Sequence, residues 1–260
     1  MDFITIKTEQ DGGAFVITLN RPDRRNAVSV QAMDELIAAA RIAESDSSVF
    51  GVIITGGDQF FSAGADLNDA LAISSSSEGV EYFNRWHRLT TTLEGLAKPV
   101  LAAIEGFCVT GGCELVLACD IRVAGEGSTF GITSSKIGTV PGAGGTQRLP
   151  RVVGAAKALE ILFSADTIDA AEAYRIGLIN RLVPKGGSLA EAKSMVAVYT
   201  QRAPLSLAWN KRAVYTGLQM DLKSGLELES FLVTAIYGTS DRKEGISAFL
   251  EKRKATFTGK

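Results

Sequence analysis

Short apolar runs of β type occupy the first two thirds of this chain, and longer helical periods dominate its end. Residues 3–9 and 14–19 alternate or run apolar on either side of Asp11-Gly12-Gly13, which predicts a β-hairpin. The polar segment Arg21-Pro22-Asp23-Arg24-Arg25-Asn26 closes its second strand. Ser29 is placed to cap a helix running to about Glu44, with Met33, Leu36, Ile37, Ala40 and Ile42 near one face. Val49 to Ile54 reads as a β-branched strand ending at Gly56-Gly57. Phe60 to Leu67 reads as an apolar loop whose small central residues leave room for a ligand or form a tight buried turn. Ser74 to Ser77 reads as a mobile polar segment, residues 78–97 as a helix, and Val100 to Ile104 as a buried strand.

Two short strands are expected within residues 120–130, followed by a glycine-rich loop from Gly138 to Arg148. Helices are expected at 154–163, 169–176, 187–202, 204–217, 221–238 and 240–252, with a short strand at 179–183. Strand-strand-helix units recur loosely through the first 180 residues, and the last 60 or so look wholly helical. This is an α/β pattern.

Composition narrows the field by exclusion. The 260 residues are 46% hydrophobic and 22% charged, ordinary for a globular protein with a substantial core. A net charge of −2 gives no electrostatic case for nucleic acid or an anionic membrane. The N-terminus carries neither a basic nor an apolar leader region, so a cytoplasmic protein without membrane attachment is expected. Cys108, Cys113 and Cys119 with the single His87 make no credible zinc set, and the cysteines are expected to pack as small hydrophobes.

The stretch Gly106 to Asp120 carries the candidate chemistry. It follows the buried strand and opens a short apolar helix at Gly111-Gly112, where free backbone N–H groups can donate to an anionic oxygen. Glu114, on the first turn, is either a partner of the helix dipole or a positioned acid/base facing a pocket. The Gly142–Gly145 loop has Gln147 where a dinucleotide fingerprint needs its last glycine, and it lacks a phosphate-loop lysine. No G-x-S-x-G elbow is present, and His87 sits among Arg85, Trp86 and Arg88 on a helix surface, which disfavours a serine-histidine triad. Two glycine/alanine-rich loops with free backbone donors, plus one carboxylate, suit stabilising an enolate-like oxyanion and moving a proton beside it.

Several motifs in order resemble the enoyl-CoA hydratase/isomerase (crotonase) family. They are Arg21-Pro22 with Asn26-Ala27, Ser62-Ala-Gly-Ala-Asp66, Gly111-Gly-Cys-Glu114 with Cys119-Asp120, Pro141 to Leu149, and Ala248 to Lys254. The resemblance implies a ClpP/crotonase-like spiral of ββα units. In that reading residues 1–200 form the core with the acyl-CoA site, and residues 201–260 form a helical region for oligomerisation. It implies that the N–H groups of Ala65 and Gly111 form an oxyanion hole for a thioester carbonyl, and that the Ala63, Asp66 and Leu67 loop holds the adenine end of coenzyme A. Arg24, Arg25, Ala27, Phe249 and Lys252 would lie along the nucleotide, the last two from a neighbouring subunit of a homotrimer or hexamer. Coenzyme A would then be part of the substrate, with no separate cofactor and no metal.

One departure matters. Glu114 matches one of two glutamates that hydratases of this family use to hold and activate water, but Ser134 stands where the second belongs. A serine orients water but does not deliver a proton near neutral pH as a tuned carboxyl does. Asn68 likewise stands where a lysine is common. Hydration of an α,β-unsaturated acyl-CoA is the expected activity. Isomerisation, thioester hydrolysis and decarboxylation on the same oxyanion hole remain alternatives, as does acyl-CoA binding without turnover.

Overall fold

The computed structural model describes residues 2–260, and alternating apolar positions decide its layering. The hairpin forms as β1 (Ile6–Asp11) and β2 (Ala14–Leu19), followed by α1 (Val30–Ser45) and β3 (Gly51–Thr55). Next come α2 (Leu67–Leu71), α3 (Ser76–Gly95), β4 (Val100–Ile104), β5 (Phe107–Val109) and α4 (Gly111–Leu117). β6 (Ile121–Gly125), β7 (Thr129–Gly131), α5 (Gly145–Val153) and α6 (Ala155–Ser164) continue the chain. β8 (Ile168–Asp169), α7 (Ala170–Arg175) and β9 (Arg181–Val183) complete the mixed part. The end is helical: α8 (Ser188–Tyr199), α9 (Pro204–Gly217), α10 (Leu222–Ile236) and α11 (Ser240–Leu250).

Six strands form one sheet in the order β1-β2-β3-β4-β6-β9, parallel except for the β1–β2 hairpin. A smaller sheet runs β5-β7-β8. The strand-strand-helix rhythm has a geometric meaning. β4 and β6 lie in the large sheet, while their successors β5 and β7 cross to the small one. Because β3 and β4 are buried on both faces, alternate residues feed two cores. Val52, Ile54, Ala102 and Ile104 pack toward α1, α3 and α4, whereas Ile53, Leu101, Ala103 and Val123 pack against Ala192 and Val196 of α8.

Some expectations need correction. Ile42 is exposed, because two residues beyond Ala40 the helix has turned away, and Ala39 and Ala43 complete the buried stripe. The serine run is ordered by capping: Ser75 accepts the Glu78 N–H at 3.3 Å, and Glu78 accepts the Ser74 N–H at 2.8 Å, so Ser76 and Ser77 begin α3. Leu67 starts a short helix capped by Asp66. The glycine-rich loop stops at Gly144, and Gly145 to Val153 are helical. The terminal helix ends at Leu250, and the chain then runs back so that Asp241 accepts the N–H groups of Thr258 and Gly259. The three cysteines are free and buried, as expected of small hydrophobes. Among the described residues no helix is long and apolar enough to cross a membrane.

Candidate active site

Two backbone segments meet where β5 gives way to α4. Thr110 takes an unusual positive φ of 50°, anchored by its N–H to the Gly131 carbonyl at 2.7 Å and by its hydroxyl to that of Thr133 at 2.8 Å. That turn opens α4 and leaves the Gly111 N–H at the first helical position. Opposite it, Val28 bridges the 63–66 loop: the Val28 N–H donates to Gly64 and the Val28 carbonyl accepts from Asp66, which passes over Ala65. Neither the Ala65 nor the Gly111 N–H has an acceptor among the described residues. They are neighbours, since a Cβ on Gly111 would sit 2.9 Å from the Ala65 nitrogen and 3.1 Å from the Trp86 ring. Only glycine allows this approach. Paired, unsatisfied donors at one point are suited to an oxygen that gains charge.

Glu114 lies one turn further along α4, only 3% exposed. Its Oε1 accepts two N–H groups, from Ala143 and Gly145, each at 2.8 Å. No protein group donates to Oε2 among the described residues. Burial pushes the carboxyl up from an ordinary 4.5 to about 7, opposed by those two N–H groups and by the Arg148 charge. Arg148 is itself clamped by Glu94, with Nε–Oε1 at 2.6 Å and Nη2–Oε2 at 2.7 Å, and reaches the Ala143 carbonyl at 3.2 Å. Near neutral pH this carboxyl is therefore poised to take or give a proton.

Ala65, Gly111, Glu114 and Ser134 all line one cavity of about 200 Å³. Ser134 begins a short 3₁₀ turn and is buried, with no partner for its hydroxyl among the described residues. Ala63, Leu67, Tyr82, Phe83 and Trp86 also line the cavity, as do Ile137, Val140 and Ala143. Tyr82 and Trp86, one helical turn apart on α3, carry no chemical signal in the sequence, and in the structure they are buried with Leu89 and Leu93 on one stripe of the helix.

The positions implied for coenzyme A are partly brought together. Arg25 accepts the Ala63 N–H at 3.0 Å, so Arg24, Arg25 and Ala27 run beside the 63–67 loop. The side chains of Arg24 and Arg25 are exposed. Asp66 is buried and already engaged: it takes Arg21 at 2.8 Å and caps α2, and its carboxyl is held below the usual range by Arg21 and the Asn68 N–H despite burial. Phe249 and Lys252 are exposed and do not line the cavity. A larger groove of about 560 Å³ touches Arg148, Asp120, Arg122 and Tyr215. There Arg148 is paired with Glu94 and Asp120 with Lys211 and Tyr215, Arg122 is held by the Leu178 and Cys119 carbonyls, and the groove contains neither free amide.

Comparison with known proteins bears on the family and the fold. The family model described as enoyl-CoA hydratase/isomerase matches residues 9–260. The crotonyl-CoA hydratase of Syntrophomonas wolfei is 38% identical over 261 aligned residues, covering 100% of both chains. The short-chain-enoyl-CoA hydratase of Clostridium acetobutylicum is 37% identical over 255 residues, 98% of this chain and 97% of that one. Among solved structures, the enoyl-CoA hydratase of Bacillus anthracis superposes with a TM-score of 0.94 at 33% identity, covering 99% of this chain and all of that one. The fold is thus crotonase-like, with its C-terminal helical region.

Proposed function

Because this chain belongs to the enoyl-CoA hydratase/isomerase family, we propose that it is an enoyl-CoA hydratase adding water to an α,β-unsaturated acyl-CoA. The observation that carries this reading is Glu114, with one oxygen fixed and one unengaged, in the same cavity as two adjacent unpaired amides. In the proposed reaction the thioester oxygen accepts from the Ala65 and Gly111 N–H groups, which draws electron density from the β-carbon. Glu114 takes a proton from water as the hydroxyl oxygen bonds to that carbon. The negative charge moves to the thioester oxygen as an enolate, where the two fixed donors stabilise it. Glu114 then returns the proton to the α-carbon, so the sum is addition of water and the carboxylate is regenerated. A value of about 7 lets one residue serve both steps, which offsets the missing second acid. Ser134 orients the water through its hydroxyl.

Coenzyme A would follow the 24–27 and 63–67 segments. Copies of the chain in a homotrimer or hexamer would cover exposed Phe231, Val233, Phe249 and Leu250 and bring Phe249 and Lys252 to the nucleotide. The test is turnover of crotonyl-CoA followed by loss of enone absorbance, with the product identified. A 3-hydroxyacyl thioester is expected. A shifted double bond, free coenzyme A thiol or carbon dioxide would assign one of the other reactions of this scaffold, which the neutral Ser134 would then explain. Binding without any product would make the protein a carrier.

A further inference from the structure

On the proposed reaction the thioester oxygen rests at the Ala65 and Gly111 amides, and the next two carbons meet Glu114. The rest of the acyl chain therefore starts beyond that carboxyl. Next to Glu114 is the 141–145 loop, whose Ala143 and Gly145 N–H groups hold Oε1. Phe83 of α3 lies against this loop: a side chain at Gly142 would overlap its ring, so the ring rests on bare glycine backbone. Phe83 and Gly142 both line the cavity that holds Glu114 and the two amides. Tyr82 meets the same ring edge-on, with centroids 5.2 Å apart, so the ring is packed against the loop and against its own helix. Its neighbours Tyr82 and Trp86 are buried, whereas Phe83 is 38% exposed. A ring that only propped the loop would need no free surface; this one keeps over a third of its own.

We propose that Phe83, seated on Gly142, is the stop that sets the length of the acyl chain, and that the substrates are short-chain acyl-CoA thioesters. The cavity it bounds is about 200 Å³, below the roughly 300–1,000 Å³ of ordinary ligand pockets, so little room is left past Glu114. A longer chain has to push the ring off Gly142 and away from Tyr82, which loses packing on both. Removing the ring joins its space to the chamber. Ile137 and Val140 line the same cavity and are exposed, so the enlarged chamber offers apolar surface to further methylenes. This inference rests on the acyl-CoA reading of the site and adds to it the residue that measures the acyl group.

The test uses saturated thioesters, which cannot be hydrated, so that fit is read without turnover. Calorimetric affinities of butyryl-CoA and octanoyl-CoA are measured on the wild type, Phe83→Ala and Phe83→Leu. Each methylene newly buried strengthens binding roughly fourfold, so Phe83→Ala should raise the octanoyl-to-butyryl affinity ratio by about tenfold or more. Phe83→Leu keeps an apolar contact with Gly142 and should raise it less, in the same direction. The ratio is taken within one protein, so partial unfolding or a loosened loop, which weakens both thioesters alike, does not move it. An unchanged ratio in both variants would overturn the inference and leave Phe83 as a strut for the loop that holds Glu114. A wild type that already binds octanoyl-CoA about tenfold more tightly than butyryl-CoA would overturn it too, because the ring then stops nothing. Failure of both thioesters to bind the wild type would instead remove the acyl-CoA reading, and this inference with it.

Discussion

Two buried glutamates nine positions apart are held by the same device but differ in what it leaves free. Glu105, just beyond β4, is 4% exposed and accepts N–H groups from Gly186 at 3.0 Å and Ser188 at 3.1 Å, where α8 begins. Glu114 accepts N–H groups from Ala143 and Gly145, where α5 begins. Each carboxylate thus meets the positive end of a later helix. The difference is in the oxygens. Glu105 uses both, one per donor, and a side chain at Gly125 would overlap it, so it is sealed. Glu114 takes both donors on Oε1, and the residue lines a cavity. On the proposed mechanism, the fully engaged Glu105 is a fastener, and Glu114, with one oxygen spare, is the reagent.

The largest test of this contrast is Glu114→Gln. The amide keeps an acceptor for Ala143 and Gly145 but cannot take a proton from water, so kcat/KM for crotonyl-CoA should fall by about 10²–10⁴-fold with the fold intact. Steady-state rates on enone absorbance measure it. A loss of less than about tenfold would move Glu114 to the bland side of the comparison.

Glu105→Ala should do the opposite. It orphans two buried N–H groups, each worth roughly 1–3 kcal/mol, so urea unfolding should show a loss of about 3 kcal/mol or more. The rate per folded molecule should change little. If Glu105→Ala unfolds no more easily than the wild type, the fastening role is wrong.

Only half of this contrast was legible in the sequence. Glu114 stands out because Gly111-Gly112 precede it at a strand-to-helix turn, and its flanks match a family pattern. Glu105 ends an apolar strand and carries no local signal. Neither glutamate reveals its donors, since Ala143 and Gly145 lie 29 and 31 residues from Glu114, and Gly186 and Ser188 lie 81 and 83 from Glu105. The long helices α1 and α3 were readable because period carries over a dozen residues, and the five-residue β4 because it is an unbroken apolar run. The short pieces α2, β5 and β8 exist through tertiary pairing and leave no such signal to read. Tyr82 shows a further limit: an apolar stripe looks the same whether it faces a core or a chamber.

A smaller effect separates the two roles through pH. The Glu114 value in the folded protein, about 7, lies above the ordinary 4.5, so the native state holds this proton more tightly than the unfolded chain. Its contribution to stability is full below 4.5 and is lost as pH rises through about 7. Glu114→Gln removes that dependence. The variant should gain on the wild type across this window, by roughly 3 kcal/mol before any loss in hydrogen-bond strength. Melting temperatures of both proteins across the window test this. Parallel curves would mean that the buried carboxyl is not destabilised when ionised.

The smallest effect sharpens the comparison from outside the pair. Arg148 lowers the Glu114 value, and Glu94 partly neutralises Arg148 through a two-point clamp. Arg148→Gln should therefore raise the carboxyl further and move the acid limb of the kcat/KM profile to higher pH, because fewer molecules carry the ionised base. Glu94→Gln leaves Arg148 uncompensated and should move the limb the other way. Each change stays within about threefold in rate on the acid side, since a full unit would give tenfold, and vanishes where Glu114 is fully ionised. Opposite displacements from the two variants are the informative result, because general damage to the 141–145 loop would lower the plateau and leave the limb in place. If both variants lower the plateau alone, the clamp only holds the loop and the Glu114 value is set by burial raising it against its two N–H donors lowering it.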